Sequence, residues 1–277
     1  MVLFRIGPIM AKSPKHCEGC RQERELFPFT MAFQPIVDIV SQRIESHEAL
    51  VRGPNGEGAA SVLAQVNADN VFAFDKACRV RAIELAAALG LDRHLSINFL
   101  PNAIYEPAAC IRSTLDAAAR TGFPLDRLIF EIIEHESIAE TAHLTAIVTE
   151  YRRHGFKIAL DDFGTAYSGL LRLAQIKPDM IKLDRALVAD CDRDQARQAI
   201  LGHMASLCRE LGIKVVAEGI ERREEAEVLR AMGARFMQGY YFAKPKFEAL
   251  ASDEDVRQPI RLVRARKSTA PAFTPTM

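Results

Sequence analysis

The chain has 277 residues, 49% hydrophobic and 26% charged, which is enough for one large domain with a sizeable core. Lys+Arg and Asp+Glu both number 36, and a net charge of zero excludes a global basic field for polymeric nucleic acid as well as a strongly acidic disordered chain. No apolar run approaches a membrane span and Met1–Arg5 opens no signal-peptide core, so a cytoplasmic protein is expected.

Residues 1–27 read as an N-terminal appendage, with His16, Cys17 and Cys20 followed by a charged run to Glu25. The Cys-x-x-Cys pair is half of a zinc site, a redox pair, or neither, because a structural zinc site needs four ligands. The appendage is expected to offer a handle for a regulatory partner. Cys78, Cys110 and Cys208 lie in helical pattern and are expected in the core.

Residues 28–252 alternate between strand and helix patterns. Phe33–Ile39 and Ile44–Val51 read as strands joined by the polar turn Ser41-Gln42-Arg43, which is too short for anything but an antiparallel pair. After the loop Gly53–Gly58, helix is expected from about Ala59 to Leu89, with Gly90 as the stop. Strand Leu95–Leu100 and helix Ala108–Ala119 follow, then strand Leu128–Ile133 and helix Ala139–His154. The run Ile158–Leu160 is a buried strand ending in Asp161 and Asp162, followed by a loop with Gly164 and Gly169. Strand Asp179–Asp184, helix Leu187–Leu211, strand Lys214–Glu218, helix Arg222–Met232 and strand Arg235–Gln238 complete the series. Eight strands with helices between nearly all of them suggest an α/β fold of the (β/α)₈ barrel type. Residues 253–277 read as a flexible basic tail.

The strands share an anomaly. From the second strand to the eighth, each otherwise apolar segment is interrupted by a polar side chain: Glu48, Asn98, Glu131, Asp161 with Asp162, Lys182 with Asp184, Glu218 and Gln238. A charge in a buried strand costs several kcal/mol unless it is paired or bound to metal. In a barrel these positions converge on one mouth. Neighbouring strand residues point to opposite faces, so Asp161 and Asp162 serve one site only if the strand end is distorted; the other reading is a solvated helix start. Glu48, Asn98, Glu131, Asp161, Asp162 and Glu218 all offer oxygen, which suits Mg²⁺ or Mn²⁺ and not zinc. Two divalent ions with Lys182 would cancel five carboxylates, the arrangement used for displacement at phosphorus. One ion with partial protonation is the alternative.

His47-Glu-Ala-Leu-Val-Arg52 resembles the signature of the EAL family of cyclic di-GMP phosphodiesterases. The resemblance extends through Gln34-Pro-Ile-Val37, Ile97-Asn98, Glu131-Ile-Ile-Glu134, Asp161-Asp-Phe-Gly-Thr165, Lys177–Asp184, Val216–Glu221 and Gln238–Pro245, over about residues 30–248. It implies a modified TIM barrel whose first strand is antiparallel, agreeing with the short turn. It also implies one ion on Glu48, Asn98, Glu131 and Asp161, with Asp161 bridging to a second on Asp162 and Glu218. Lys182 and Glu218 would be catalytic, and Glu134 would brace the loop after Asp162. Arg52, Gln34, Gln238 and Asp184 would bind substrate; the lesser alternative for Arg52 is a surface residue before a loop. The implied reaction is hydrolysis of cyclic di-GMP to linear pGpG by a homodimer. Ile133, Ala166 and Gly169 depart from the family's usual Thr, Gly and Ser beside that loop, which bears on rate and regulation. The competing readings are a non-catalytic module that binds the nucleotide or a protein partner, and a barrel acting on another phosphodiester.

Overall fold

A computed structural model describes residues 26–104, 106–133, 141–165 and 169–265. The Cys17 and Cys20 pair, Glu134 and Ala166 lie outside the described residues. Strands β1 (Thr30–Asp38) and β2 (Arg43–Arg52) form an antiparallel hairpin. Parallel strands follow: β3 (His94–Asn98), β4 (Leu128–Ile133), β5 (Lys157–Phe163), β6 (Met180–Leu183), β7 (Lys214–Ala217) and β8 (Phe236–Met237). The sheet closes because β1 pairs with β2 on one edge and antiparallel with β8 on the other. A short strand β9 (Lys246–Phe247) adds to the free end of β1. The result is a closed mixed barrel of eight strands with one extra strand, the modified TIM barrel with its first strand antiparallel.

The two-residue repeat of a strand divides the interior into layers. Ile36, Ile129, Ala159, Met180, Val216 and Phe236 form a separate apolar cluster inside the barrel. Two residues further towards the mouth, on the same strands or just past their ends, stand Gln34, Glu131, Asp161, Lys182, Glu218 and Gln238, all buried. The polar layer therefore sits on an apolar floor that water does not reach. The larger core lies outside the strands, where Phe99, Phe130, Tyr151 and Phe156 pack edge to face under the helices.

The helices are α1 (Ala59–Leu63), α2 (Val71–Ala88), α3 (Pro107–Cys110), α4 (Arg112–Thr121), α5 (Thr141–Arg153), α6 (Gly169–Ile176), α7 (Arg185–Val188), α8 (Gln195–Glu210), α9 (Arg223–Ala231) and α10 (Asp253–Ala265). Three sequence expectations are corrected. The helix expected over Ala59–Leu89 is two helices, because Asn67 and Asn70 side chains take backbone partners between them: Asn70 Oδ1 accepts from Asn67 N–H and Asn70 Nδ2 donates to Gln65 O. The long helix from Leu187 is also two: Asp190 takes φ +57°, and Asp194 caps a new start at the N–H groups of Ala196 and Arg197.

The flexible tail expected from Asp253 begins instead with helix α10, which buries Val256, Ile260 and Val263 completely. Its presence follows from the hairpin. A connection with no helix leaves the outer face of β2 bare, and α10 covers it. Asp253 accepts from Ile44 N–H at 2.8 Å, and His47 Nε2 lies 3.2 Å from Ala251 O. Cys78, Cys110, Cys191 and Cys208 are buried thiols outside any disulfide. No described helix is long and apolar enough to cross a membrane.

Candidate active site

The Lys182 ammonium is the centre of the barrel mouth. Nζ lies 2.8 Å from Glu131 Oε2, 2.8 Å from Glu218 Oε1, 3.2 Å from Asp161 Oδ1 and 3.3 Å from Glu48 Oε2. Lys182 is 1% exposed. Four strands thus aim a carboxylate at one cation supplied by a fifth. Glu48 gains two further donors: Gln238 Nε2 at 2.7 Å to Oε2 and Asn98 Nδ2 at 3.1 Å to Oε1.

Asp161 and Asp162 share the site through the strand distortion that the sequence required. Leu160 pairs with Ile181 and Phe163 with Leu183, so Asp161 and Asp162 together oppose Lys182 alone. This is a β-bulge, and it puts two consecutive side chains at the mouth. Asp162 takes φ +53°, which Asp tolerates better than most residues, and its N–H donates to Asp161 Oδ1 at 2.9 Å.

One cation among five acids separates their proton affinities. Burial would raise the Glu48 carboxyl, but Lys182 and the Gln238 and Asn98 donors outweigh it and hold it below the usual range. Burial raises Glu131 to about 8 against Lys182, helped by the Glu48 and Asp161 charges. Burial and the Asp161 and Asp184 charges raise Asp162 to about 8. Glu218 is driven well up and Asp161 up, both chiefly by burial. Lys182 is raised well above an ordinary lysine, its surrounding carboxylates overcoming the cost of burial. Such a spread is what burial and mutual repulsion produce when five carboxyl groups share one ammonium.

Above the acids opens a cleft of ≈ 380 Å³ whose walls include Gln34, Arg52, Asn98, Arg185, Glu221 and Tyr240. The EAL domain family model matches this chain over residues 21–245. The chain belongs to the EAL domain family. Among relatives, the blue light- and temperature-regulated antirepressor BluF of Escherichia coli is 30% identical over 222 residues, covering 80% of this chain and 55% of its own length. The cyclic di-GMP phosphodiesterase PdeL of E. coli is 30% identical over 152 residues, 55% of this chain and 42% of its own. The chain therefore spans about half the length of these relatives. Among solved structures, a standalone EAL protein from Vibrio cholerae bound to c-di-GMP is 50% identical, with TM-score 0.80 over 83% of this chain and 97% of that one. BlrP1 of Klebsiella pneumoniae, in a manganese and cyclic di-GMP complex, is 35% identical, with TM-score 0.77 over 82% of this chain and 58% of that one.

The donor set of this EAL barrel fits divalent cations. Glu48, Glu131 and Asp161 bring ligand atoms within 4.8 Å of one another, as do Asp161, Asp162 and Glu218; Asp161 belongs to both groups. Glu131 Oε1 is buried without a hydrogen-bond partner, the state of an oxygen that expects a ligand. A third acidic group, Asp190, Asp192 and Glu225, does not fit, because the Arg222 guanidinium fills it with contacts of 3.0, 2.5 and 3.1 Å.

The structure brings Glu48, Asn98, Glu131, Asp161, Asp162, Lys182, Glu218 and Gln238 together, with Gln34 opposite Glu48 in the β1–β2 register. Arg52 lines the cleft wall. The Asp184 carboxylate caps α7 at Ala186 N–H and lies beside Asp162, whose proton affinity it raises. Arg185 and Tyr240 were not singled out from sequence. Arg185 pairs with Glu221 and donates to Gly219 O at 3.0 Å, and a Cβ on Gly219 would lie 2.5 Å from its stem. The usable signal was their position immediately after β6 and β8, where a barrel places its ligand-facing loops.

Proposed function

We propose that this EAL domain is a metal-dependent phosphodiesterase that hydrolyses one bond of cyclic di-GMP to give linear pGpG. The observation that carries the reading is the Lys182-centred floor, in which Asp161 belongs to two carboxylate groups at the base of an open cleft. Glu48, Asn98, Glu131 and Asp161 would hold one Mg²⁺ or Mn²⁺ ion, and Asp161, Asp162 and Glu218 a second. Such a pair supplies a nucleophilic water at neutral pH and neutralises charge on the phosphoryl oxygens. Lys182 donates to the attacking water or to developing charge, being held protonated by its neighbours. Glu218 and the other carboxylates keep that ammonium in place. Arg52 offers a planar fork for the substrate phosphate. Gln34 and Gln238 set the position of β1 and Glu48 at the substrate's edge. Glu134 is assigned the bracing of the loop beyond the bulge. Homodimer assembly and cytoplasmic residence belong to the same reading.

The test is incubation with cyclic di-GMP and Mg²⁺ or Mn²⁺, followed by separation of nucleotides. Formation of pGpG that stops with EDTA supports the reading. The similarity to an antirepressor favours a second reading, a cyclic di-GMP-binding or protein-interaction module. Tight nucleotide binding without pGpG would select it.

A further inference from the structure

One buried ion pair lies outside the mouth and has no part in the chemistry so far. Asp75 and Arg79, one turn apart on α2, are 4% and 2% exposed. Arg79 NH2 donates to Asp75 Oδ2 at 2.9 Å. Its NH1 group faces Cys110 O at 3.4 Å, Thr114 Oγ1 at 3.3 Å and Tyr151 OH at 3.5 Å, so the guanidinium joins α2 to α3, α4 and α5. Burial raises the Asp75 carboxyl in spite of Arg79. A buried pair of this kind is weak evidence for stability, since well-packed apolar residues often serve as well. Its presence asks what else the carboxylate holds.

The second oxygen answers that. Asp75 Oδ1 accepts from Leu100 N–H at 3.0 Å. Strand β3 pairs with β4 as far as Asn98 opposite Glu131, and Phe99 N–H still reaches Glu131 O at 3.2 Å. Leu100 is the next donor, and it turns away from the sheet to Asp75. The carboxylate thus takes over where the ladder stops, two residues beyond Asn98. Asn98 in turn donates to Glu48 Oε1. The Phe99 ring between them is clamped by Phe130 and Tyr151, and Tyr151 also meets Arg79.

We infer that Asp75, oriented by Arg79, is a positioning residue for the Glu48–Asn98 half of the acidic mouth. It fixes the backbone at Leu100, and thereby the approach of the Asn98 amide to Glu48, without touching substrate or ion. The inference rests on the reading of that mouth as a divalent-cation site.

The experiment compares two double variants, each removing both charges so that no lone ion is left buried. Asp75→Asn with Arg79→Gln keeps an oxygen acceptor for Leu100 N–H. Asp75→Val with Arg79→Met removes it. Mn²⁺ binding is read directly from the free-ion electron paramagnetic resonance signal at 25 °C, beside a melting curve for each protein. The Asn/Gln pair should bind Mn²⁺ within about threefold of wild type. The Val/Met pair should bind at least about tenfold more weakly at its tighter site while still melting cooperatively, a loss of about 1.4 kcal/mol. A purely structural role predicts lower melting temperatures with equal Mn²⁺ affinity in both folded variants, and that result overturns the inference. If the Val/Met pair fails to fold, the Asn/Gln pair decides: weakening there of tenfold or more, with the acceptor retained, also overturns it. Wild-type protein that binds no Mn²⁺ refutes the cation reading itself, a separate outcome.

Discussion

The acidic mouth should make the metal-free protein a proton-uptake system on folding. Glu131 and Asp162 hold their protons in the folded chain up to about pH 8, whereas carboxyls of an unfolded chain ionise near pH 4. Between those limits the folded state binds more protons than the unfolded one, so stability falls as pH rises and is lowest above pH 8. Each group contributes a slope of about 1.4 kcal/mol per pH unit. Over the interval from pH 6 to pH 7.5 the two together cost about 4 kcal/mol, or roughly 8–16 °C in melting temperature for a domain of this size. The assay is a series of melting curves in EDTA from pH 5.5 to 8.5, for wild type and for Glu131→Gln/Asp162→Asn. The variant lacks both groups, so the difference between the two curves reports them together with their coupling to Asp161 and Glu218. Wild type should lose ground to the variant steadily across the series. Excess Mn²⁺ should flatten the wild-type trend and, at a hundred times its Kd, add about 2.7 kcal/mol. The cations displace the protons, which appear as a buffer-dependent heat of binding. Parallel curves for the two proteins in EDTA would refute the electrostatic account of the mouth.

Lys182→Ala should cut turnover at least about a hundredfold while nucleotide binding is largely kept, measured as kcat against KM; a change of only a few-fold would make Lys182 a counter-charge. Ca²⁺ should support hydrolysis poorly beside Mg²⁺, because a larger, looser ion misplaces water and phosphorus, and equal rates in parallel time courses would count against paired-ion geometry. Gly239→Ala should destabilise by at least about 2 kcal/mol in denaturant titration, since the added Cβ would lie 2.0 Å from Ile220 O. Removal of residues 253–277 should cost about 5 kcal/mol or more through loss of buried Val256, Ile260 and Val263; a truncated protein melting with wild type would mean that β2 needs no cover.

Much of the mouth was legible because a polar residue inside an apolar strand is expensive, and the chain repeats that expense on strand after strand. The pair Asp161 and Asp162 even demanded its own bulge, since alternation forbids both from facing one site. Asp184 shows where simple alternation stops applying. Its spacing from Lys182 places it on the same face of an ideal strand, but β6 ends at Leu183 and the chain turns into α7 there. Helix interruptions were hidden because Asn67, Asn70 and Asp194 act through local side-chain bonds that hydrophobic periodicity does not register. Helix α10 was missed because Pro259 stands inside it and the charged residues around it mask an apolar stripe at Val256, Ile260 and Val263. Asp75 carried no signal in one sequence, as its partner Leu100 is a backbone amide.

The hairpin that starts the barrel also sets the order in which a growing chain completes it. Strand β2 meets β3 early, but β1 waits for β8 and β9, and the outer face of β2 waits for α10, roughly two hundred residues downstream. Contacts of such sequence separation form late, since loop closure must come before any of them is rewarded. During synthesis the hairpin therefore stands with one paired edge and one bare face until α10 has left the ribosome. The open strand edge in that interval is a template for wrong pairing. That edge carries Pro35 near its middle, a residue that donates nothing to an added strand.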